Sequence, residues 1–314
     1  MKKDALSVRF RRGLRQWAAV LPFISVGLML FVVFVLYPQI KNIYIAFTDY
    51  SIMPGAETPF VFFDNFKRAF EGMFEQGTDA YYFWISFRNN LLAVLVTVPG
   101  QLILGLLVAV MIHNIRFGKN AYKIMFYIAV ICDWVVVANI FDYIFQPDNG
   151  SLVNYVLLKL HIISEPIAWL QETWSGNLVI WVFSIWKGFG WVMIIYTAAL
   201  QGIPNDLYEA ATIDGANSVQ KFFKITVPMI GPTTYFVTLM SLISSLQVFD
   251  QVYIMTNGGP VNATKTVAMY LYQYGFQFYK MGYACAAAYV LFLLVFIVSL
   301  IQNRSSKSWA ESTI

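Results

Sequence analysis

Long apolar runs separated by short polar segments make up most of the chain. Six of these runs come close to the roughly 20 residues that a helix needs to cross a bilayer. They are residues 17–37, 90–111, 124–145, 177–200, 233–255 and 283–301. Because lipid offers no partners to backbone N–H and C=O groups, each run is expected to form a helix. The pattern predicts an all-α integral membrane protein with six transmembrane helices.

Basic residues near the ends of these runs indicate which side of the membrane each connection faces. Residues 1–16 carry two lysines and four arginines, and further basic residues lie in the segment 201–231 and at Arg304 and Lys307. Lys and Arg close to a span mark the cytoplasmic side. We therefore expect both termini and the segment 201–231 to be cytoplasmic, and the loop 38–89 to be external.

The first apolar run raises the question of a signal peptide. It is longer than a typical signal-peptide core, and no small-residue cleavage site follows it. We interpret it as an uncleaved span. The chain then divides into a basic cytoplasmic tail at 1–16, a transmembrane region at 17–303 and a cytoplasmic tail at 304–314.

The segment 201–231 is polar, short and helix-prone. Pro204 suits the first turn of a helix, and Asn205 and Asp206 place acceptors and negative charge near its N-terminus. Gly215 can adopt the left-handed conformation that ends a helix. A second helix is predicted at 218–227. The sequence thus predicts two short helices that meet at a bend and face the aqueous phase.

This segment also carries a motif of fixed order. It reads Glu209-Ala210-Ala211, Asp214-Gly215-Ala216 and then the run from Phe222 to Pro228. The motif resembles the EAA loop of permease subunits in binding-protein-dependent ABC importers. The resemblance implies that Glu209, Ala210, Ala211, Asp214 and Gly215 couple the subunit to ATP hydrolysis. The alternative is an ordinary cytoplasmic connector.

Two further runs extend the resemblance. Trp186-Lys187-Gly188 and the Thr-Asn-Gly-Gly-Pro sequence at 256–260 are similar to permeases of the carbohydrate-uptake branch, above all the larger maltose-permease subunit. This implies a type I importer fold with six spans in the prokaryotic inner membrane. It also implies a complex with a second permease subunit, two ATP-binding subunits and an extracellular solute-binding protein that delivers a sugar or oligosaccharide.

The sequence departs from the maltose subunit at Ser245 and Val248, where that subunit has polar amides. The identity of the cargo is therefore not implied. A non-sugar cargo such as glycerol phosphate remains an alternative within the same class of importer.

Polar residues inside the fourth and fifth runs predict a substrate path between them. A lysine in the middle of a span is unfavourable unless it is paired or hydrated. Aromatic rings can cover the apolar faces of a sugar, while hydroxyl and amide groups exchange hydrogen bonds with its rim. The predicted set is Trp186, Lys187, Gly188, Trp191, Ser241, Ser245, Gln247 and Asp250. The alternatives are tryptophans that pack against lipid or another helix, and serines that serve helix packing.

Carboxylates within the apolar runs leave a different class of transporter open. An ion-driven secondary transporter would use Asp133, Lys187 or Asp250. Such folds often show internal repeats, and we find no convincing repeat in the sequence. Asp133 itself fits two interpretations equally well: a residue of the transport path, or a carboxylate hydrogen-bonded to a neighbouring helix.

Composition and the absence of known motifs narrow the remaining classes of function. Hydrophobic residues make up 59% of the chain and charged residues 12%, without a basic soluble domain that would bind nucleic acid. The sequence has no phosphate-binding loop, His113 and His161 are isolated, and no nucleophile–base arrangement is visible. We expect no metal, no cofactor and no enzymatic activity, with ATP hydrolysis on a separate subunit. Cys132 and Cys285 are interpreted as packing residues, not a disulfide.

Overall fold

The computed structural model describes residues 20–115 and 117–311, with side chains as far as residue 300. The predicted tails at 1–16 and 312–314, together with residues 17–19, lie outside the described residues. Within the described part, the regular secondary structure is helical, and the β-type pairing is one antiparallel bridge between Thr48 and Phe60. The predicted all-α class is therefore confirmed for this part of the chain.

The helices follow one another with short connections. They are α1 (Val20–Ala46), α2 (Asp64–Arg68), α3 (Asp79–Asn114), α4 (Lys119–Ile131), α5 (Trp134–Ile144), α6 (Leu152–Lys159), α7 (Thr173–Gln201), α8 (Asn205–Ile213), α9 (Ser218–Lys221), α10 (Gly231–Leu246), α11 (Asp250–Met255), α12 (Val267–Tyr272) and α13 (Met281–Glu311). Short π-helical segments occur within α1 at Val32–Leu36, after α9 at Phe222–Thr226 and after α12 at Gln273–Gln277.

Five stretches of this structure are long and apolar enough to cross a membrane: α1, α3, α7, α10 together with α11, and α13. The run predicted as a third span, 124–145, is not one straight helix. It forms the end of α4 and all of α5, and these two helices meet at an angle of 91°. Within the described residues, the candidate spans therefore number five, or six if this bent pair counts as one span.

The centre of the molecule is the packing of α3 against α7. A side chain on Gly105 would come within 2.6 Å of Val192 Cγ1, so this glycine lets the two helices approach closely. Around this contact Ile112, Met193 and Tyr196 are buried in one apolar cluster. Since membrane helices associate largely through close packing at small residues, this contact fixes the frame on which α4 and α10 lie.

The segment between α1 and α3 has its own anchor on the helices. The loop between α1 and α3 is shorter than the predicted 38–89, because α1 continues to Ala46 and α3 begins at Asp79. Within it, the Asn65 side chain is buried and donates hydrogen bonds to Ala46 O (3.0 Å) and Thr48 O (2.8 Å). Arg68 forms an ion pair with Asp79. These contacts hold α2 on the helical bundle.

Candidate substrate cavity at the broken helix

The site begins at the break between α4 and α5. Cys132 and Asp133 have extended backbones, with ψ values of 140° and 142°. Asp133 Oδ1 accepts hydrogen bonds from Val135 N (2.9 Å) and Val136 N (3.3 Å). Asp133 is thus the N-cap of α5, where a carboxylate satisfies free N–H groups at the positive end of the helix. It bonds its own helix and not a neighbouring one, which differs from that predicted alternative.

Lys187 approaches the same break from α7. Its side chain is only 3% exposed, so its charge needs partners. Lys187 Nζ donates to Ala129 O (2.8 Å) and to Cys132 O, and it lies 4.9 Å from the centroid of the Trp134 ring. The sequence predicts that this lysine is paired or hydrated. Its observed partners are backbone carbonyls at the end of α4.

A cavity of about 330 Å³ opens beside this lysine, between α3, α4, α5, α7 and α10. Its lining residues are Gln101, Val130, Trp134, Lys187, Gly188, Trp191, Met240, Ser241 and Ser244. The walls therefore combine two indole rings and aliphatic groups with one amide and two hydroxyl groups. An apolar wall with a few placed polar groups is the usual composition of a small-molecule site.

Four of the eight predicted path residues meet in this cavity. They are Lys187, Gly188 and Trp191 on α7, and Ser241 on α10. Lys187 and Trp191 are four positions apart and Gly188 lies between them, so the three share one face of α7. Ser241 reaches the cavity from the opposite wall. The predicted meeting of the fourth and fifth runs is thus present in the structure.

The other four predicted residues do not line the cavity. Trp186 is 37% exposed and packs its ring against Phe141, with 5.7 Å between ring centroids. Ser245 is buried and shares a 3.2 Å hydrogen bond with Thr97 Oγ1. Gln247 follows the end of α10 and is exposed, and Asp250 begins α11. Trp186 differs because consecutive helical residues point about 100° apart.

Gln101 is the residue that sequence reasoning missed. Its Nε2 donates to Ser184 O (2.9 Å), which ties α3 to α7. A side chain on Gly188 would come within 2.5 Å of Gln101 Cδ. The space that Gly188 leaves is therefore occupied by the Gln101 side chain. An amide in an otherwise apolar run is a functional signal in a membrane span, and this signal was available in the run 90–111.

Ser241 has a property that the other cavity residues lack. Its Oγ is buried and has no hydrogen-bond partner among the described residues. Leaving a hydroxyl unpaired in a buried place costs about 1–3 kcal/mol. Such a group calls for an explanation, and Ser241 is one of the residues of the cavity wall.

The motif around Glu209 forms a separate region. Helix α8 ends before Gly215, whose φ is +76°, as predicted, and α9 begins with a capping box between Asn217 and Gln220. Glu209, Ala210, Asp214 and Gly215 are exposed, and Ala211 is half-buried.

Two side-chain contacts hold this region together. Tyr208 and Thr226 share a 2.9 Å hydrogen bond, and Lys221 Nζ donates to Thr212 Oγ1 (2.7 Å). Ile213 is 87% exposed at the tip. The two helices form a rigid unit with an apolar, exposed tip.

Within the described residues, no group of three His, Cys, Asp or Glu side chains is arranged to hold a metal ion. Cys132 and Cys285 are free thiols. Cys132 is exposed, so the prediction of a packing role does not apply to it, whereas Cys285 is half-buried.

Comparison with known proteins assigns the family. Residues 101–310 match the family described as "Binding-protein-dependent transport system inner membrane component". The chain is 34% identical to the probable ABC transporter permease protein YesP of Bacillus subtilis over 312 residues, which cover 98% of this chain and 95% of that protein. It is 33% identical to the arabinooligosaccharides transport system permease protein AraP of the same organism over 298 residues, 93% of this chain and 90% of that protein.

A solved structure agrees in fold. The chain is similar to a chain of a bacterial alginate ABC transporter in complex with an alginate pentasaccharide-bound periplasmic protein, with a TM-score of 0.81 and 22% identity. The similarity covers 96% of this chain and 98% of that chain. Family match, relatives and fold agree with the resemblance that the motif at Glu209 carries. The chain therefore belongs to the family of inner membrane components of binding-protein-dependent transport systems.

Proposed function

We propose that this chain forms half of the translocation path of an ATP-driven importer for a sugar or oligosaccharide. The observation that carries this proposal is the unpartnered, buried hydroxyl of Ser241 in a cavity that Trp191 and Gln101 also line. A sugar offers hydroxyl groups to Ser241 and Gln101, and C–H faces to the indole ring. The relative AraP, whose name refers to arabinooligosaccharides, supports this class of cargo.

The charged groups in the cavity favour a neutral cargo over an anionic one. Lys187 is the one cationic side chain among the lining residues. Its ammonium group is already bound to two carbonyls and lies over the Trp134 ring. An anion such as glycerol phosphate would have to compete for those donors. This favours an uncharged sugar over the alternative cargo.

An ion-driven mechanism receives no support from the same residues. A proton or ion relay needs carboxylates that face a common path. Asp133 is occupied as a helix cap, and Asp250 begins α11 and does not line the cavity. Lys187 bonds carbonyl oxygens instead of either carboxylate. The three candidate residues therefore do not form a connected pathway.

We infer a six-span arrangement in the prokaryotic inner membrane, in which α4 and α5 together count as the third span. Lys119 and Lys123 on α4, and Lys221 and Lys224 after α8, favour a cytoplasmic position for both connections. Both termini are then cytoplasmic. The transmembrane region spans 17–303 between tails at 1–16 and 304–314, with an external loop within 38–89 and a cytoplasmic loop at 201–231.

The remaining subunits follow from this assignment. A second permease subunit would complete the path, two ATP-binding subunits would contact the unit formed by α8 and α9, and an extracellular solute-binding protein would deliver the sugar. Glu209, Ala210, Ala211, Asp214 and Gly215 are the proposed coupling residues. Their exposure on the two hydrogen-bonded helices α8 and α9 suits a surface that transmits force between subunits.

Transport by the complete complex tests this function. The chain is purified with its co-expressed partner subunits, reconstituted in liposomes, and assayed for uptake of a panel of sugars and oligosaccharides with the solute-binding protein present. We expect uptake of at least one sugar that requires both ATP and the binding protein. Uptake driven by an ion gradient without ATP would overturn the importer function, and uptake of glycerol phosphate alone would overturn the sugar cargo.

A further inference from the structure

The break between α4 and α5 leaves backbone carbonyl groups at the end of α4 that need hydrogen-bond donors. The last carbonyls of a helix have no partner within it, and they carry the negative end of the helix dipole. Helix α4 ends at Ile131, inside the run predicted as a span, where lipid offers no donors. At the other side of the break, Asp133 already satisfies the N–H groups of α5. The carbonyl end of α4 needs donors of its own.

Lys187 supplies these donors from a different helix. Its Nζ donates to Ala129 O (2.8 Å) and Cys132 O, which lie on either side of the last residue of α4. The ammonium group also lies 4.9 Å from the centre of the Trp134 ring, within the range of a cation–π interaction. Two carbonyls and an aromatic face thus surround a cation that can donate three hydrogen bonds. A positive charge at this helix end is also favoured by the dipole.

The backbone of α7 reinforces this contact one turn further along. A side chain on Gly190 would come within 2.7 Å of Phe126 O and 3.0 Å of Val130 Cγ2. Helices α4 and α7 therefore touch through backbone at Gly190, close enough for the Lys187 side chain to reach the carbonyls. Val130 and Trp134, which flank the break, both line the cavity. The position of the break sets the position of this wall.

We propose that Lys187 is a positioning residue that clamps the carbonyl end of α4 to α7. It fixes the 91° break and holds Val130 and Trp134 in the cavity wall. Lys187 acts through the backbone and through Trp134, and it does not itself bind the cargo. Its effect on uptake rests on the proposed function, whereas its effect on the break does not.

Hydrogen–deuterium exchange of the assembled complex in lipid nanodiscs tests the clamp directly. Lys187→Met keeps the length of the side chain but removes its charge and its donors. We expect about tenfold faster exchange in peptides that cover residues 128–137, since their backbone loses its anchor. Lys187→Arg retains donors and should restore slow exchange in part. Lys159→Met, at an exposed lysine on α6, is the matched control and should leave these peptides unchanged.

A second variant covers failure of Lys187→Met to assemble. Gly190→Ala leaves the lysine in place but adds a methyl group against Phe126 O, so it should also speed exchange at 128–137. Unchanged exchange in Lys187→Met, or in Gly190→Ala where Lys187→Met does not assemble, would overturn the clamp. For Lys187→Met, a raised KM with unchanged exchange would mean that Lys187 binds the cargo directly, and would also overturn it.

Uptake assays then separate the two proposals. We expect Lys187→Met to raise the KM for uptake about tenfold, with basal ATP hydrolysis retained, and Lys187→Arg to return KM toward the parental value. Faster exchange with an unchanged KM would confirm the clamp, but would overturn the proposal that this cavity lies on the sugar path.

Discussion

The unit of α8 and α9 and the cavity at the broken helix are built from contacts of very different range. In the unit of α8 and α9, Asn217 and Gln220 cap one helix from positions three residues apart. At the cavity, Lys187 bonds Ala129 across 58 positions, and Gln101 bonds Ser184 across 83. Short-range contacts make the first region rigid by itself, whereas the second exists only where four or more helices meet.

This difference teaches where each region is vulnerable. A change in the unit of α8 and α9 should disturb contact with other subunits and leave the membrane helices in place. A change at the cavity should disturb packing and ligand binding together, because the same side chains serve both. The following variants separate these two outcomes.

The largest effect is expected from Gly188→Leu. A Cβ at this position would already come within 2.5 Å of Gln101 Cδ. The leucine side chain would therefore displace Gln101 and fill the cavity. Overpacking of this kind costs about 1–3 kcal/mol. We expect uptake to be lost in liposomes while assembly and basal ATP hydrolysis remain. Gly27→Leu is the control, since nothing lies within 4 Å of a Cβ at that position.

Uptake by Gly188→Leu at the parental rate would show that the cavity does not lie on the transport path. The partner permease would then be the place to look for the sugar site.

Gly215→Pro should disrupt the unit of α8 and α9 alone. The φ of +76° lies far from the value near −65° that proline requires, and the hydrogen bond from Gly215 N to Thr212 O would be lost. We expect stimulation of ATP hydrolysis by the loaded binding protein to disappear, without loss of the subunit from the membrane. Gly215→Asn tolerates the left-handed conformation and should stay within about twofold of the parental stimulation. Full stimulation in Gly215→Pro would contradict a coupling role for the bend.

Glu209→Lys changes charge at the same surface without changing the fold. Glu209 is exposed on α8, and surface substitutions of this kind alter stability by only about 0.5 kcal/mol. We expect stimulated ATP hydrolysis to fall about tenfold, because reversed charge opposes docking of a partner subunit. Glu209→Gln, which only removes the charge, should show a smaller loss. Equal stimulation in all three proteins would show that α8 makes no electrostatic contact there.

The smallest effects come from two serines on α10, and they give the sharpest comparison. Ser241→Ala removes a buried hydroxyl without a partner in the fold, so we expect raised thermal stability together with a KM raised about five- to tenfold. Ser245→Ala breaks the hydrogen bond shared with Thr97 and should lower stability by about 1 kcal/mol with unchanged KM. Thermal unfolding and uptake kinetics are measured on both. The same pattern in both variants would contradict a ligand role specific to Ser241.

The predicted cargo site illustrates what a single sequence reveals. The two spans that meet at the cavity were predicted, because a lysine and a row of serines are conspicuous in apolar runs. Which of their residues face inward was not, because Trp186 and Lys187 are neighbours in sequence and point in different directions. Gln101 carries a polar signal too, as do Asn90 and Thr97 on the same span. Only its contact with Gly188 shows why it belongs to the site.

The sequence alone determined the class of protein, the apolar runs and the motif around Glu209. Hydrophobic length, basic flanks and the order of residues around Glu209 and Gly215 are local properties, so they can be recognised without the fold. Only the tertiary structure decided that residues 124–145 break at Asp133 and that Lys187 serves the carbonyl end of α4. A break within a membrane is tolerated only where another helix satisfies the freed backbone. That helix lies more than 50 residues away in the chain, as the 55 positions between Lys187 and Cys132 show.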